Sequence, residues 1–286
     1  MKITDIIKGD RPSLSFEVFP PKTTDNFAGV LAATESIADL SPSYMSVTYG
    51  AGGGTSQYTA EIASRLLARG VTPLAHLSCI SSTKDEIRAL LTDLRAREIE
   101  NILALRGDIP AGAANAPMVY RYASELVEEI RAFGGFTVGG ACYPDGHPDS
   151  ESGDKDIAAL KIKVESGCEF LTTQMFFDNN ILYNFMYRLM RAGVNVPVVA
   201  GIMPVTNAAQ IKRITSISGN QLPQRFVRLV DRYGSNPAAM RQAGIAYATE
   251  QIIDLYANGV NAVHVYSMNK PDVAAKIKEN LSEIIR

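Results

Sequence analysis

Apolar residues along this chain are grouped into eight short runs, separated by longer segments of mixed polarity. The runs are SLSFEVF, YMSVTY, TPLAHLS, NILALR, FTVGGACY, EFLTTQMFF, VPVVAGIM and AVHVYSM. They are rich in Val, Ile, Leu, Phe and Tyr, and several are apolar at almost every position. That composition is typical of strands whose two faces are both covered by other parts of the protein. The pattern therefore predicts eight buried strands.

The segments between the runs carry the spacing of amphipathic helices. In one segment the apolar residues recur at i, i+3, i+4 and i+7, and they are Ile87, Leu90, Leu91 and Leu94. A second set with helical spacing lies in the last segment and comprises Val273, Ile277, Leu281 and Ile284. We expect Asn269 to cap this last helix, with Pro271 in its first turn. Gly70 and Gly193 occupy positions where two other helices are expected to end.

The alternation of strand and helix indicates the fold class. Repeated eight times, it predicts an α/β protein with a (β/α)₈ TIM barrel, a fold that usually takes about 250 residues. The chain has 286 residues, and the excess lies between the seventh and eighth strands, where residues 221–258 are expected to form extra helices. No linker or low-complexity segment interrupts the chain, so we expect one domain over residues 1–286.

A doubly wound sheet that binds a dinucleotide is the rival architecture. The glycine-rich stretch YGAGGGTS follows a predicted strand and precedes a predicted helix, as a dinucleotide-binding loop does. However, Thr55 stands where the third Gly or Ala of that fingerprint belongs. The next strand also contains His76 where an acid that binds the ribose would be expected nearby. The fingerprint therefore fails, and the barrel is preferred.

The charge balance argues against a nucleic-acid or membrane partner. The chain has 28 Lys and Arg residues against 30 Asp and Glu residues, and the two signs are interspersed. No apolar stretch reaches the length of about 18 residues that a membrane span needs. Cys79, Cys142 and Cys168 are far apart and odd in number, so neither a disulfide framework nor a zinc site is expected. We expect a cytoplasmic protein with reduced thiols and no bound metal.

Polar residues follow most of the predicted strands. In a barrel of this class the active site lies at the carboxyl ends of the strands, so we expect these residues to converge on one pocket. They are Glu17, Thr48, Tyr49, His76, Arg106, Gly107, Asp108, Tyr143, His147, Gln174, Tyr266 and Asn269. Each alone has a simpler interpretation, such as a core histidine for His76 or a turn residue for Asp108. Their joint placement favours a site.

Glu17 is the least expected of these residues, because it lies in an apolar and aromatic run between Phe16 and Val18. Burial there would disfavour the ionised carboxylate. The simpler interpretation is a residue at the strand end that faces water or pairs with a cation.

Seven longer motifs carry a family resemblance. They are SFEVFPPK, SVTYGAGG, AHLSC, LALRGD, YPDGHP, TTQMFFD and GIMPVTN, in that order. From about Ser13 to its last residue, the chain resembles the methylenetetrahydrofolate reductases, flavin-dependent barrel enzymes of one-carbon metabolism and methionine biosynthesis. The resemblance implies an oxidoreductase that reduces 5,10-methylenetetrahydrofolate to 5-methyltetrahydrofolate. It further implies that FAD takes hydride from NADH or NADPH and passes it to the folate in a ping-pong reaction, and that the chain forms a homo-oligomer.

The resemblance also implies roles for individual residues. Glu17 is implied as the proton donor, and Asp108 as the carboxylate near the flavin and the pterin. The implied folate-binding set is Asp108, Gln174, Gln210 and Lys270. The implied cofactor-binding set is Thr48, Tyr49, Ala51, His76, Arg106, Gly107, Asp108, Ala123, Tyr143, His147, Asp156 and Lys163.

Three positions depart from the pattern of the family. Ala159 and Ile162 stand where some relatives have polar contacts to the flavin cofactor. Lys270 stands where an Arg meets the folate tail, which replaces a bidentate fork by a point charge.

The chemistry of the reaction agrees with an apolar setting for Glu17. Protonation at N10 of the folate opens its methylene bridge to an iminium that accepts hydride, which is general acid catalysis. A free glutamate, with a pKa of about 4.3, is almost wholly ionised at neutral pH, and burial would raise that value. Two alternatives stay open: a pterin-dependent methyltransferase barrel without flavin, and a flavoprotein subunit fed by an electron-transfer complex. NADH, NADPH and a protein electron donor are not distinguished.

Overall fold

Eight parallel strands form a closed barrel in which each strand pairs with its neighbours in chain order. The computed structural model describes residues 1–9, 11–21, 26–49, 56–109, 118–211, 214 and 222–286. The strands are β1 (Ser13–Val18), β2 (Met45–Val47), β3 (Pro73–Ser78), β4 (Asn101–Leu105), β5 (Thr137–Cys142), β6 (Phe170–Thr173), β7 (Val198–Ile202) and β8 (Ala262–Tyr266). Each lies within one of the eight apolar runs. The prediction of a (β/α)₈ TIM barrel is confirmed.

Helices alternate with these strands along the described part of the chain. They are α1 (Ile3–Ile7), α2 (Phe27–Ala38), α3 (Ser56–Ala68), α4 (Lys84–Ala96), α5 (Ala123–Phe133), α6 (Gly153–Glu165), α7 (Asn179–Arg191), α8 (Gln224–Tyr233), α9 (Pro237–Ala257) and α10 (Pro271–Asn280). The helices α8 and α9 lie between β7 and β8, which confirms the prediction of extra helices there. Within the described ranges, no helix combines the length and apolarity needed to cross a bilayer.

The apolar core has an outer and an inner part. The outer part lies between the barrel and the helices around it, and it includes Leu14, Phe16 and Val18 of β1. The inner part packs α1 against residues of the barrel, and it comprises Ile3, Ile7, Tyr44, Leu74, Leu103, Phe170, Val199 and Ala262. Because side chains alternate along a strand, Ser15 and Glu17 point to the opposite side from Phe16, into the barrel.

The predicted helix signals are largely confirmed. Ile87, Leu91 and Leu94 of α4 are buried, as the spacing predicted. Gly70 and Gly193 follow α3 and α7 with φ of +77° and +78°, a left-handed conformation that glycine adopts without strain.

Two predictions for the last helix are wrong. The N-cap of α10 is Lys270 and not Asn269, because the Asn269 side chain is bonded to the backbone of Phe19 instead. The helix ends at Asn280, and the Ile284 N–H bonds to the Leu281 carbonyl in a turn beyond it. Ile284 therefore lies outside the helix and is 38% exposed.

Candidate functional site

The predicted polar residues are gathered at one rim of the barrel. Glu17 lies in β1 and Tyr266 in β8, while Thr48, Arg106 and Gln174 each directly or closely follow a strand. Since all eight strands are parallel, their carboxyl ends meet at the same rim. The one predicted site residue that lies outside the described residues is Ala51.

Glu17 and His76 form the centre of this rim. The Oε2 atom of Glu17 lies 3.9 Å from Nε2 of His76, and the two side chains are only 18% and 8% exposed. Burial raises the pKa of Glu17 to about 8, and burial lowers the pKa of His76 to about 3. Both groups are therefore neutral at neutral pH. Their contact is too long for a hydrogen bond and is not an ion pair.

The Nε2 atom of His76 is buried and has no hydrogen-bond partner among the described residues. A buried polar atom without a partner loses its hydrogen bonds to water and gains none within the protein, which is unfavourable. This atom therefore has unused hydrogen-bonding capacity next to the Glu17 carboxyl.

A hydrogen-bonded layer lies directly beneath Glu17. Nδ1 of His264 is 2.7 Å from the Ser15 hydroxyl, and its Nε2 is 2.9 Å from the Ser46 hydroxyl. Ser46 and Tyr266 are the register partners of Glu17 on the two neighbouring strands. Burial, and then the nearby His76, lowers the pKa of His264 to about 3, so this layer is also uncharged at neutral pH.

The residues of this layer were not among the sequence predictions, apart from Tyr266. Two of the apolar runs nevertheless contain a signal for these residues, because side chains alternate between the two faces of a strand. Ser15 and Glu17 in β1, and His264 and Tyr266 in β8, alternate with apolar residues that face the helices. The polar members of each run therefore belong to the inner face.

The loop after β4 has a shape that requires glycine. Gly107 has a φ of +86°, and an added Cβ would lie 2.0 Å from the Ser78 hydroxyl oxygen. That hydroxyl donates to the Arg106 carbonyl at 3.1 Å. The loop places Asp108 in an exposed position at the rim. The Arg106 guanidinium bonds the Asp149 carboxylate at 2.7 Å, which ties this loop to the loop after β5.

A second polar cluster follows β5 and continues into α6. The rings of Tyr143 and His147 meet edge to face with centroids 4.5 Å apart. The His147 backbone N–H donates to the Asp156 carboxylate at 3.2 Å. The Lys163 Nζ atom donates to the Ala141 carbonyl at 2.7 Å, and burial lowers the pKa of Lys163. These predicted cofactor residues are thus brought together.

The predicted folate-binding residues lie around the ends of β6, β7 and β8. The Gln174 side-chain oxygen accepts from the Met175 N–H at 3.0 Å. Lys270 Nζ donates to the Thr206 hydroxyl at 2.9 Å, which joins the segment after β8 to the segment after β7. Gln210 lies in that same segment, and its Oε1 atom is buried without a hydrogen-bond partner among the described residues.

Three further predicted residues lie just after β2 or at the start of α5. The Thr48 N–H donates to the Val18 carbonyl at 3.0 Å, and the Thr48 carbonyl accepts from the Thr59 hydroxyl at 2.9 Å. Tyr49 is half-buried and packs against the outer core. Ala123 is buried as the first residue of α5, so it lies at a helix start and not at a strand end.

Among the described residues, no group of three or more His, Cys, Asp or Glu side chains is arranged to hold a metal ion. The three cysteines are free and buried.

Comparison with known families identifies the chain over almost its full length. The family model for methylenetetrahydrofolate reductase matches residues 2–282. A relative from Arabidopsis thaliana, methylenetetrahydrofolate reductase (NADH) 1, is 33% identical over an alignment of 305 positions. That alignment covers 99% of this chain and 51% of the relative. A relative from Escherichia coli (strain K12), 5,10-methylenetetrahydrofolate reductase, is 32% identical over 270 residues, which cover 94% of this chain and 90% of the relative. The chain thus spans about half the length of the plant relative and most of the bacterial one.

A solved structure shares the fold at low sequence identity. It is an uncharacterized protein from Clostridium thermocellum, described as binding two copies of 5-methyl-5,6,7,8-tetrahydrofolic acid. Its TM-score is 0.70 at 13% identity, over 99% of this chain and 100% of that chain. This similarity shows the barrel fold, whereas the family model and the sequence relatives show the family. The chain belongs to the methylenetetrahydrofolate reductase family of oxidoreductases.

Proposed function

We propose that the chain reduces 5,10-methylenetetrahydrofolate to 5-methyltetrahydrofolate with hydride that comes from NADH or NADPH through FAD. The observation that carries the proposal is Glu17, a carboxyl group at the barrel rim whose pKa burial raises to about 8. The family relationship supports the substrate, since the relatives are named for this reduction.

Glu17 supplies the proton that opens the folate ring. The methylene bridge is part of a closed five-membered ring and accepts hydride poorly, whereas protonation at N10 opens it to a reactive iminium. An ordinary glutamate would be ionised at neutral pH, but a pKa of about 8 keeps roughly nine-tenths of Glu17 protonated at pH 7. Glu17 points into the barrel, where burial beside the uncharged His76 causes this shift.

Asp108 stabilises the positive charge of the iminium. It lies in an exposed position in the loop after β4. Its charge acts across the rim, since the pKa of Tyr143 is raised by burial and also by Asp108. A fixed carboxylate near a developing cation lowers the energy of the transition state without reorganisation.

The residues beside β4 and β5 fit FAD. The basic side chains of Arg106 and Lys163 lie on one side of the rim, and phosphate groups need cationic partners. The imidazole of His147 lies in the same cluster, beside Tyr143. The buried Nε2 atom of His76 has no hydrogen-bond partner in the described part of the chain, and a hydrogen-bonding edge of the cofactor would supply one. These residues would hold FAD, which would supply hydride transfer between nicotinamide and folate, a chemistry that protein side chains lack.

The residues after β6, β7 and β8 orient the folate. The Oε1 atom of Gln210 is buried and has no partner among the residues that the structure describes, which suits an N–H donor of the ligand. Gln174 is half-buried directly after β6, and its side-chain amide also carries an N–H₂ donor group. The Lys270 ammonium, next to Thr206, suits the carboxylates of the folate tail.

Anaerobic spectroscopy of the purified chain tests this function. We expect visible flavin absorbance after reconstitution with FAD, loss of that absorbance with NADH or NADPH, and its return when 5,10-methylenetetrahydrofolate is added. Recovery of 5-methyltetrahydrofolate identifies the product. A protein that takes up no flavin would point to the methyltransferase alternative. A flavin that only a chemical reductant bleaches, and that folate reoxidises, would point to the subunit of an electron-transfer complex.

A further inference from the structure

The turn after β8 has an unfavourable backbone conformation. Met268 and Asn269 have φ of 54° and 52°. Residues with a Cβ rarely adopt this left-handed conformation, and Met seldom does. Among the described residues, two further non-glycine residues have positive φ, Ser41 and Glu98, and these are isolated. Adjacent left-handed residues at the rim of a site indicate that the turn is held there by other contacts.

Three side-chain hydrogen bonds join the turn to the end of β1. The Ser267 hydroxyl donates to the carbonyl of Glu17 at 2.6 Å. The Asn269 side-chain oxygen accepts from the Phe19 N–H at 3.0 Å, and its Nδ2 atom donates to the Phe19 carbonyl at 2.9 Å. The Asn269 amide thus satisfies both backbone groups of Phe19.

The sequence after Glu17 explains why a side chain, and not another strand, bonds the backbone groups of Phe19. The pairing of β1 with β8 ends at Glu17 and Tyr266. Pro20 and Pro21 follow Phe19 and have no N–H group, so the strand pairing cannot continue through them. The Asn269 amide therefore replaces the next step of the ladder, and Glu17, in the last backbone pair, lies two residues before the Phe19 groups that the amide bonds.

We infer that Asn269 is a positioning residue for Glu17, whose carboxyl it keeps buried at the rim by fixing the backbone of Phe19. This inference rests on the proposed function of Glu17 as the acid. It explains why the chain tolerates two left-handed residues at this turn and why Asn269 is not the N-cap of α10. Without the amide, the end of β1 has no described side-chain hydrogen bond beyond that of Ser267.

The ionisable side chains that face Glu17 come from two other strands of the barrel. They are His76 on β3 and Tyr266 on β8, whose pKa is raised by burial and also by Glu17. His264 lies in the layer beneath and is neutral. None of these described groups is a cation at neutral pH, so no positive charge among them lowers the Glu17 pKa. A fall of that pKa in a variant therefore reports the entry of water around the carboxyl.

The variant Asn269→Gly tests the inference, because glycine keeps the left-handed backbone favourable and removes only the amide. We expect it to bind FAD and to accept hydride from NADH or NADPH at the wild-type rate. Hydride transfer to folate should fall by about 10- to 100-fold, as expected from a small displacement of the acid. The pH midpoint of that half-reaction should move down toward the ordinary glutamate value. The control Glu98→Gly, at an exposed left-handed residue before β4, should leave both half-reactions unchanged.

A measurement without ligands separates this inference from the proposed function. The infrared carbonyl band of protonated Glu17, assigned by its loss in Glu17→Gln, should disappear at a lower pH in Asn269→Gly than in the wild-type chain. Asn269→Asp, which keeps the acceptor for Phe19 but not the donor, should give an intermediate shift. An unchanged midpoint in both variants, or equal losses in both half-reactions, would overturn the positioning role. A wild-type chain that never reduces folate would refute the proposed function, while the infrared midpoints would still decide the role of Asn269.

Discussion

The Glu17 carboxyl and the His76 imidazole lie 3.9 Å apart, and neither carries a charge at neutral pH. Burial has this effect on both because it penalises a carboxylate and an imidazolium alike. An ion pair would require Glu17 to give up the proton that the proposed reaction needs. The neutral pair therefore keeps a protonated carboxyl at the rim of a site that works near neutral pH.

The raised pKa of Glu17 predicts a specific dependence of stability on pH. Between about pH 4.5 and pH 8, the folded chain holds a proton on Glu17 that the unfolded chain has released. The folded state therefore becomes less stable as the pH rises through this range, by as much as about 5 kcal/mol.

The variant Glu17→Gln lacks this proton, so its stability relative to the wild-type chain should rise over the same range. Urea unfolding of both proteins at several pH values measures the difference. The buried histidines oppose the trend in both proteins, since their lowered pKa values reduce stability as the pH falls below 6.5. The difference between the two proteins, which largely removes that contribution, is the quantity to compare. A difference that does not change with pH would mean that Glu17 has an ordinary pKa.

Gly107→Ala should destabilise the chain more than Gly70→Ala. Both glycines have positive φ, at +86° and +77°, so both variants incur the left-handed penalty of about 1 kcal/mol. Only at Gly107 would the new Cβ collide with a neighbour, the Ser78 hydroxyl, whereas no atom lies within 4 Å of the position at Gly70. We expect an additional loss of about 1–3 kcal/mol in the free energy of unfolding, together with weaker FAD binding.

The double variant Gly107→Ala with Ser78→Ala should recover part of that loss, because the colliding oxygen is removed. Chemical denaturation and flavin titration measure the two effects. Equal losses for Gly70→Ala and Gly107→Ala would contradict the close contact in the loop after β4.

Asp108→Asn should slow the transfer of hydride to folate. The substitution keeps the size of the side chain but removes the charge that stabilises the iminium. The expected loss is about 2–4 kcal/mol of transition-state stabilisation, comparable to other electrostatic deletions. Stopped-flow reoxidation of the reduced flavin by folate measures it, with the rate of reduction by NADH or NADPH as the internal comparison. A reoxidation rate equal to that of the wild-type chain would rule out the electrostatic role.

The barrel could be predicted from the sequence because its determinants are local. Strands covered on both faces read as continuous apolar runs, and the helix α4 shows its buried face in the spacing of Ile87, Leu91 and Leu94. The rim residues followed from one topological rule, that parallel strands of a barrel carry the site at their carboxyl ends.

Contacts between residues that are distant in the sequence were not predicted, because local patterns carry no information about them. Asn is a residue type that often caps the start of a helix, yet Asn269 bonds Phe19, a residue 250 positions away in the chain. The His264 contacts to Ser15 and Ser46 likewise cross strands that are distant in sequence. Capping rules describe the residue next to a helix, and they are overridden when a partner in another element satisfies the same side chain.

The central claim is that Glu17 donates the proton that opens the folate ring, and one variant measured in two half-reactions tests it most directly. Glu17→Gln keeps the size and polarity of the side chain but cannot supply this proton. In stopped-flow experiments, FAD bound to the variant should be reduced by NADH or NADPH at the wild-type rate, because that transfer needs no acid. Reoxidation by 5,10-methylenetetrahydrofolate should fall by about 10²- to 10⁴-fold, the range typical of lost general acid catalysis. Equal losses in the two half-reactions, or an undiminished rate with folate, would contradict the claim.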